Sequence, residues 1–138
     1  MPQARQFLDH LYPNNIPADL HLLVWTIPNK TSYWFTSIDE VETAVEIMGN
    51  QNIYIGCGLS PENYGANKRA TAANVAGIPG FWADIDYGDT GHKGKTYPPN
   101  QGTALRILDE LAVRPTLVIH SGNGLQAWWL WDPQRSSR

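Results

Sequence analysis

The sequence contains a single cysteine, Cys57, among its 138 residues. One thiol excludes an internal disulfide and a zinc site built from several thiolates, so we expect Cys57 to be a small buried apolar residue. No apolar run reaches the roughly 20 residues of a membrane-spanning helix, and the first residues form no apolar signal core. These absences predict a cytoplasmic protein that does not enter a membrane.

Positive charge is also scarce, because 10 Lys and Arg stand against 13 Asp and Glu, a net charge of -3. A protein that covers duplex DNA with a broad basic face needs an excess of cations. The charge balance excludes that mode, so any nucleic-acid contact is expected to be local or assisted by a metal. Aromatic residues are plentiful, with six Trp and six Tyr, which can serve as core, base-stacking platforms or interface anchors.

Hydrophobic periodicity predicts alternating helices and strands, which indicates a single domain of the α+β or α/β class. The predicted helices cover 3–12, 37–48 and 100–114, and the predicted strands cover 20–27, 33–35, 52–59, 81–87, 116–120 and 125–131. The third helix is expected to bury one apolar face: Ala104, Leu105, Leu108 and Leu111. A long polar loop is expected from Ser60 to Thr71.

Asp84 and Asp86 stand two residues apart in the predicted strand 81–87. Side chains at this spacing share one face of a strand, and the alternate positions form the other, which we expect to face the core. Those alternate residues are Phe81, Ala83, Ile85 and Tyr87. Two neighbouring carboxylates repel each other unless a cation neutralises them, and Mg²⁺ prefers such oxygen ligands. The pair therefore predicts a divalent-metal site, with a merely solvated strand face as the alternative.

The segment from Ser121 to Gly124 separates two apolar strands and contains Asn123-Gly124, a strong signal for a tight hairpin turn. A turn alone is one explanation of this pattern. Glycines also let backbone N–H groups approach an anion, and Ser121, Asn123 and Gln126 would add donors to a triphosphate.

Basic residues flank the acidic strand in sequence. Lys68 and Arg69 precede it, while His92, Lys93 and Lys95 follow it. Surface lysines are usually only solvated charge, and this is the interpretation for Lys95. The other four residues are candidates for contacts with phosphate.

Two segments together resemble the archaeo-eukaryotic primase superfamily, most closely the primase-polymerase domains of phage, plasmid and mobile-element replication proteins. Gly80 to Asp86 is similar to the family's metal-binding motif, a hydrophobic strand that carries Asp-x-Asp. Pro115 to Trp129 is similar to its nucleotide-binding motif, a serine and a glycine turn before a strand. With Arg69 to Thr71, 91–93 and the helix from Asn100, the likeness covers about half of the chain.

The resemblance implies an α+β fold in which an RRM-like catalytic sheet follows a smaller N-terminal α/β portion, in one domain over 1–138 of a longer protein. It implies template-directed nucleotidyl transfer by a DNA primase or polymerase, with Mg²⁺ or Mn²⁺ on the catalytic Asp84 and Asp86. The implied partners are a nucleoside triphosphate, a single-stranded or primed DNA template and a helicase domain in the same polypeptide. The implied nucleotide-binding residues are Ser121, Gly122, Asn123, Gly124, Gln126, His92, Lys93 and Arg69.

The sequence departs from the family's pattern at two points. The family usually has a histidine where this chain has Gln126, and a glutamine bonds a phosphate without carrying charge. The family's third acidic motif lies well downstream of the glycine turn, and Asp132 comes too early to replace it. The missing third acidic motif has three explanations. The chain is a fragment, or a partner chain or a second copy supplies the carboxylate, or the protein has lost catalysis.

Two other functions stay open on the residues alone. A non-catalytic module would bind single-stranded nucleic acid through aromatic side chains, with Trp128, Trp129 and Trp131 as candidates. A metal-dependent nuclease would use the same two aspartates to hydrolyse a phosphodiester.

Overall fold

The described part of the chain contains six strands, three α-helices and one short 3₁₀ helix (Ala72–Asn74), and it is mixed α+β. The computed structural model describes residues 2–88, 96–122 and 124–131. It divides the chain into two compact units, Met1–Pro79 and Gly80–Arg138, and each contains one antiparallel three-stranded sheet. The predicted α+β class is confirmed. Among the residues that the structure describes, no helix has the length and apolar character needed to cross a membrane.

The first unit is built around its central strand. Its elements are α1 (Pro2–Leu11), β1 (His21–Ile27), β2 (Thr31–Phe35), α2 (Ile38–Met48) and β3 (Asn52–Ser60). Strand β1 lies between β2 and β3 and is antiparallel to both. Leu22 and Val24 of β1 are fully buried, as are Leu8 of α1 and Val41 of α2. The apolar positions of the three predicted elements therefore form this core.

The long loop after β3 is fastened to the edge strand β2. The Trp34 indole N–H donates to the Gly65 carbonyl at 2.9 Å, and the Ser32 N–H donates to the Ala66 carbonyl at 2.8 Å. Because these bonds use backbone carbonyls of the loop, they fix its path across the sheet.

The second unit has a split β-α-β topology. Its elements are β4 (Gly80–Asp86), α3 (Gln101–Asp109), β5 (Leu117–His120) and β6 (Gly124–Leu130). Strand β6 lies between β4 and β5 and is antiparallel to both, so β4 and β5 run parallel and are connected through α3. Ala104 and Leu108 of α3 pack against Leu125 and Ala127 of β6 to form a small core.

Helix α3 is shorter than its apolar pattern predicted. It ends at Asp109, and Glu110 is the C-cap. Leu111 lies beyond this end and is 42% exposed, so its predicted position on the buried helix face is wrong.

The predicted core face of β4 is also partly wrong. Ile85 and Tyr87 pack against the core of α3 and β6, but Phe81 is 61% exposed and meets the Trp131 ring edge-on at 4.9 Å. Among the described residues, the helix that packs on this sheet has nine residues, and its buried side chains belong to the cluster that Ile85 and Tyr87 contact at the other end of β4.

Two further expectations differ from the structure. Cys57 is only half-buried. The N-terminal unit is the longer of the two, and all its strand pairs are antiparallel, in contrast to the predicted smaller α/β portion.

Candidate metal and nucleotide site

Asp84 and Asp86 project together from one face of β4. The opposite face is fixed by the apolar contacts of Ile85, so the alternation of the strand turns both carboxylates outward, and both side chains are exposed. In the sheet register Asp84 pairs with Gln126 and Asp86 pairs with Gly124. The predicted shared face of the two aspartates is confirmed.

A tight turn lies at the end of the sheet nearest Asp86. The Ser121 N–H donates to the Gly124 carbonyl at 3.0 Å, and Gly122 has φ +99°, a backbone conformation that favours glycine. Ser121 and Gly122 are both exposed. The predicted hairpin turn is confirmed, and since Gly124 pairs with Asp86, the turn and the acidic strand share one end of the sheet.

Gly124 permits a close approach between the two strands. A Cβ atom at this position would stand 2.8 Å from the Ile85 carbonyl oxygen and 3.1 Å from Asp86 Oδ1. The first distance is shorter than real Cβ contacts, so a larger residue would shift the backbone of β4 or the carboxylate.

The Gln126 side chain is held at both ends of its amide. Its Nε2 donates to Asp84 Oδ1 at 3.0 Å, and its Oε1 accepts from the Trp128 indole N–H at 2.9 Å. Sequence reasoning assigned Gln126 to a triphosphate and did not identify the bond to Asp84. The sequence carried a signal only for the contact with Trp128, because a spacing of two puts Gln126 and Trp128 on one face of a strand.

Trp82 is a second residue of this face that sequence reasoning missed. It stands two positions before Asp84 on β4, and its ring lies 5.3 Å from the Trp128 ring at an angle of 32°. Trp128 is 1% exposed, whereas Trp82 is 39% exposed. One indole of the pair is therefore core and the other offers part of its surface beside the carboxylates.

Arg69 belongs to the first unit and lies over an aromatic ring there. Its guanidinium carbon is 4.6 Å from the centroid of the Trp25 ring, and Trp25 in turn meets Tyr54 at 5.5 Å. The roles predicted for Arg69 and Lys68 in phosphate binding stay predictions. His92, Lys93 and Asn123 lie outside the described residues.

Asp84 and Asp86 are the oxygen donors that this face offers to a cation. Within the described ranges, no group of three or more His, Cys, Asp or Glu side chains could hold a metal ion. Two carboxylates fit an ion that keeps several waters and completes its coordination with substrate phosphates, as Mg²⁺ does. They do not fit a closed structural site of four protein ligands.

Comparisons with protein families, with curated proteins and with solved structures found no match to this chain. The geometry of this face and the motifs of the sequence are therefore the features from which a function is proposed.

Proposed function

We propose that this chain carries the metal and nucleotide site of a template-directed nucleotidyl transferase, a DNA primase or polymerase of the archaeo-eukaryotic primase type. The observation that carries the proposal is the projection of Asp84 and Asp86 from β4 beside the turn at Ser121 and Gly122. In the reaction, the 3′-hydroxyl of a primer or nucleotide loses its proton to water and its oxygen bonds to the α-phosphate of a nucleoside triphosphate. The bond between the α- and β-phosphates breaks, and pyrophosphate leaves.

Each group on this face has a distinct task in the proposal. Asp84 and Asp86 hold Mg²⁺ or Mn²⁺, which when bound supplies the charge that stabilises the attacking and leaving oxygens. Ser121 and the glycine turn offer donors to the triphosphate. Trp82 offers the exposed part of its ring to the base.

The strand order of the second unit supports the proposal. An RRM-like sheet has the chain order β-α-β-β-α-β. Of its first three strands, the third lies between the other two in the sheet. The order β4-β6-β5 with α3 between β4 and β5 is the same arrangement. In this scheme the third carboxylate comes from a continuation of the polypeptide or from a partner chain.

Replacing both Asp84 and Asp86 with asparagine in the complete natural polypeptide tests the proposal. Extension of a labelled primer on a template with Mg²⁺ or Mn²⁺ should fall at least a hundredfold, because two ligands lose their charge. The matched control replaces two exposed acids of the same unit, Asp109→Asn with Glu110→Gln, and should extend as the natural protein does. Unchanged extension in the first variant would contradict the proposal, and shortening of the label would favour the nuclease.

A second candidate function is binding of single-stranded nucleic acid by the first unit. Tyr54 is 50% exposed and stands in register with Trp25, which Arg69 covers from the loop. Bases stack on such aromatic rings and on guanidinium planes, and the cation attracts phosphate. The adjacent Lys68 is exposed as well.

Oligonucleotide binding in EDTA tests this second function without the metal. Tyr54→Ala should weaken binding about 5- to 150-fold, since one base stack contributes roughly 1–3 kcal/mol. Tyr54→Phe keeps the ring and should bind as the natural protein does. Binding is measured by fluorescence anisotropy. Equal binding by the alanine variant would show that Tyr54 does not contact the nucleic acid.

A further inference from the structure

We propose that Gln126 is a positioning residue that fixes the Asp84 carboxylate for a divalent metal, and that Trp128 sets the orientation of the Gln126 amide. The inference rests on the proposed function, since it assumes that Asp84 and Asp86 hold a metal. It changes the role of Gln126 from a ligand of the triphosphate to a partner of the carboxylate.

The orientation of the amide follows from the chemistry of its two partners. An indole N–H is a donor only, so the amide atom 2.9 Å from Trp128 Nε1 is the acceptor Oε1. The NH₂ group then faces Asp84 Oδ1 at 3.0 Å, where an ionised carboxylate accepts. The reverse orientation would oppose donor to donor at Trp128 and acceptor to acceptor at Asp84.

Burial of the indole favours this orientation. Trp128 is almost fully buried, and its ring packs against Trp82, so its N–H cannot turn to water as an exposed donor would. An amide flipped away from Trp128 would break the bond that this buried donor makes to Gln126 Oε1. Trp128, Gln126 and Asp84 therefore form one directed chain of hydrogen bonds.

The chain of bonds suits a carboxylate that must bind a cation. The Gln126 amide donates to Oδ1 of Asp84, and the second oxygen of that carboxylate stays available to a metal. Because the amide is neutral, it orients the carboxylate without adding a positive charge that would repel the ion. Hydrogen-bond partners of this kind typically change metal affinity about 10- to 100-fold when they are removed.

Mn²⁺ binding to the intact chain, measured by electron paramagnetic resonance without nucleotide or DNA, tests the inference. Trp128→Phe keeps an aromatic ring but removes the indole N–H, and we expect Mn²⁺ affinity to fall about tenfold. Trp129→Phe is the matched control: its indole N–H donates to the Val113 carbonyl at 2.9 Å, and the alternation of β6 turns it to the opposite face. This control should bind Mn²⁺ as the natural chain does.

Gln126→Glu gives a result that a purely structural role would not produce. The glutamate still accepts from Trp128, but it replaces the donor to Asp84 with a third carboxylate. We expect lower thermal stability in EDTA because the carboxylates repel, and about tenfold tighter Mn²⁺ binding. Unchanged binding by this variant would overturn the inference, because the lost donor and the added carboxylate both change Mn²⁺ affinity only if this side chain lies beside the metal.

The outcomes separate the inference from the proposed function. The metal site itself is wrong if the natural chain binds no Mn²⁺, or if Asp84→Asn with Asp86→Asn binds it equally well. In that case the positioning role is overturned as well. If that double variant loses Mn²⁺ while Trp128→Phe and Gln126→Glu bind as the natural chain does, only the positioning role is overturned.

Discussion

The two hydrogen bonds of the Gln126 amide join a buried indole to an exposed carboxylate. Sequence alone did not predict this pair, because Gln126 and Asp84 are 42 positions apart and meet only through the register of β4 with β6. A shift of one residue in that register would turn Gln126 to the other face of the sheet. The sequence predicted which residues belong to the candidate site, but it did not predict that Gln126 would bond to Asp84 across the strands.

Gly124 is a second residue whose importance lies in a cross-strand contact. Gly124→Ala should lower the free energy of unfolding by about 1–3 kcal/mol, because its methyl group would overlap the Ile85 carbonyl and press on Asp86. It should also weaken Mn²⁺ binding, since the carboxylate must move. Urea denaturation measures the first effect, and a Mn²⁺ titration the second.

Gly102→Ala is the control for this substitution in the same unit. Gly102 lies in α3, where an added Cβ would meet only Asn100 Oδ1 at 3.5 Å, an ordinary contact. Alanine there should stabilise the helix by about 0.5–1 kcal/mol and leave Mn²⁺ binding unchanged. A Gly124→Ala variant as stable as the natural chain would mean that the strands do not approach so closely.

At the scale of elements, local sequence signals predicted most helices and strands. Ser37 begins α2 as its capping box indicated, with its hydroxyl accepting from the Glu40 N–H at 3.2 Å. Asn100 caps α3 in the same way through Thr103 N–H at 2.9 Å. Caps, periodicity and the glycine turn are local, so the sequence contains the information that specifies them.

The errors at this scale concern how far an apolar layer extends. The apolar spacing of α3 continues to Leu111, but the helix ends at Asp109, and the leucine lies in the chain that leaves it. Phe81 follows the alternation of β4, yet the small core that α3 and β6 form is contacted by Ile85 and Tyr87 instead. Periodicity predicts which face is apolar and gives no information on the size of the opposing layer.

At the scale of the whole molecule, the chain divides into two units that each bury side chains of their own sheet. The second unit carries the carboxylates and the turn, and the first carries the Trp25, Tyr54 and Arg69 cluster. With a net charge of -3, neither proposed nucleic-acid contact depends on an overall basic surface. The proposals therefore concern local groups, and each can be tested by local substitution.

The central claim is that Asp84 and Asp86 hold a divalent metal on the open face of β4. A titration of the intact, isotope-labelled chain with Mn²⁺, followed by the amide signals in nuclear magnetic resonance, tests it most directly, because the paramagnetic ion broadens nearby signals first. We expect amides of 84–86, Ser121 and 124–126 to broaden at substoichiometric Mn²⁺, while those of α3 near Asp109 persist. Earlier broadening near the acidic pair Asp39 and Glu42 of α2, or uniform broadening along the chain, would contradict the claim.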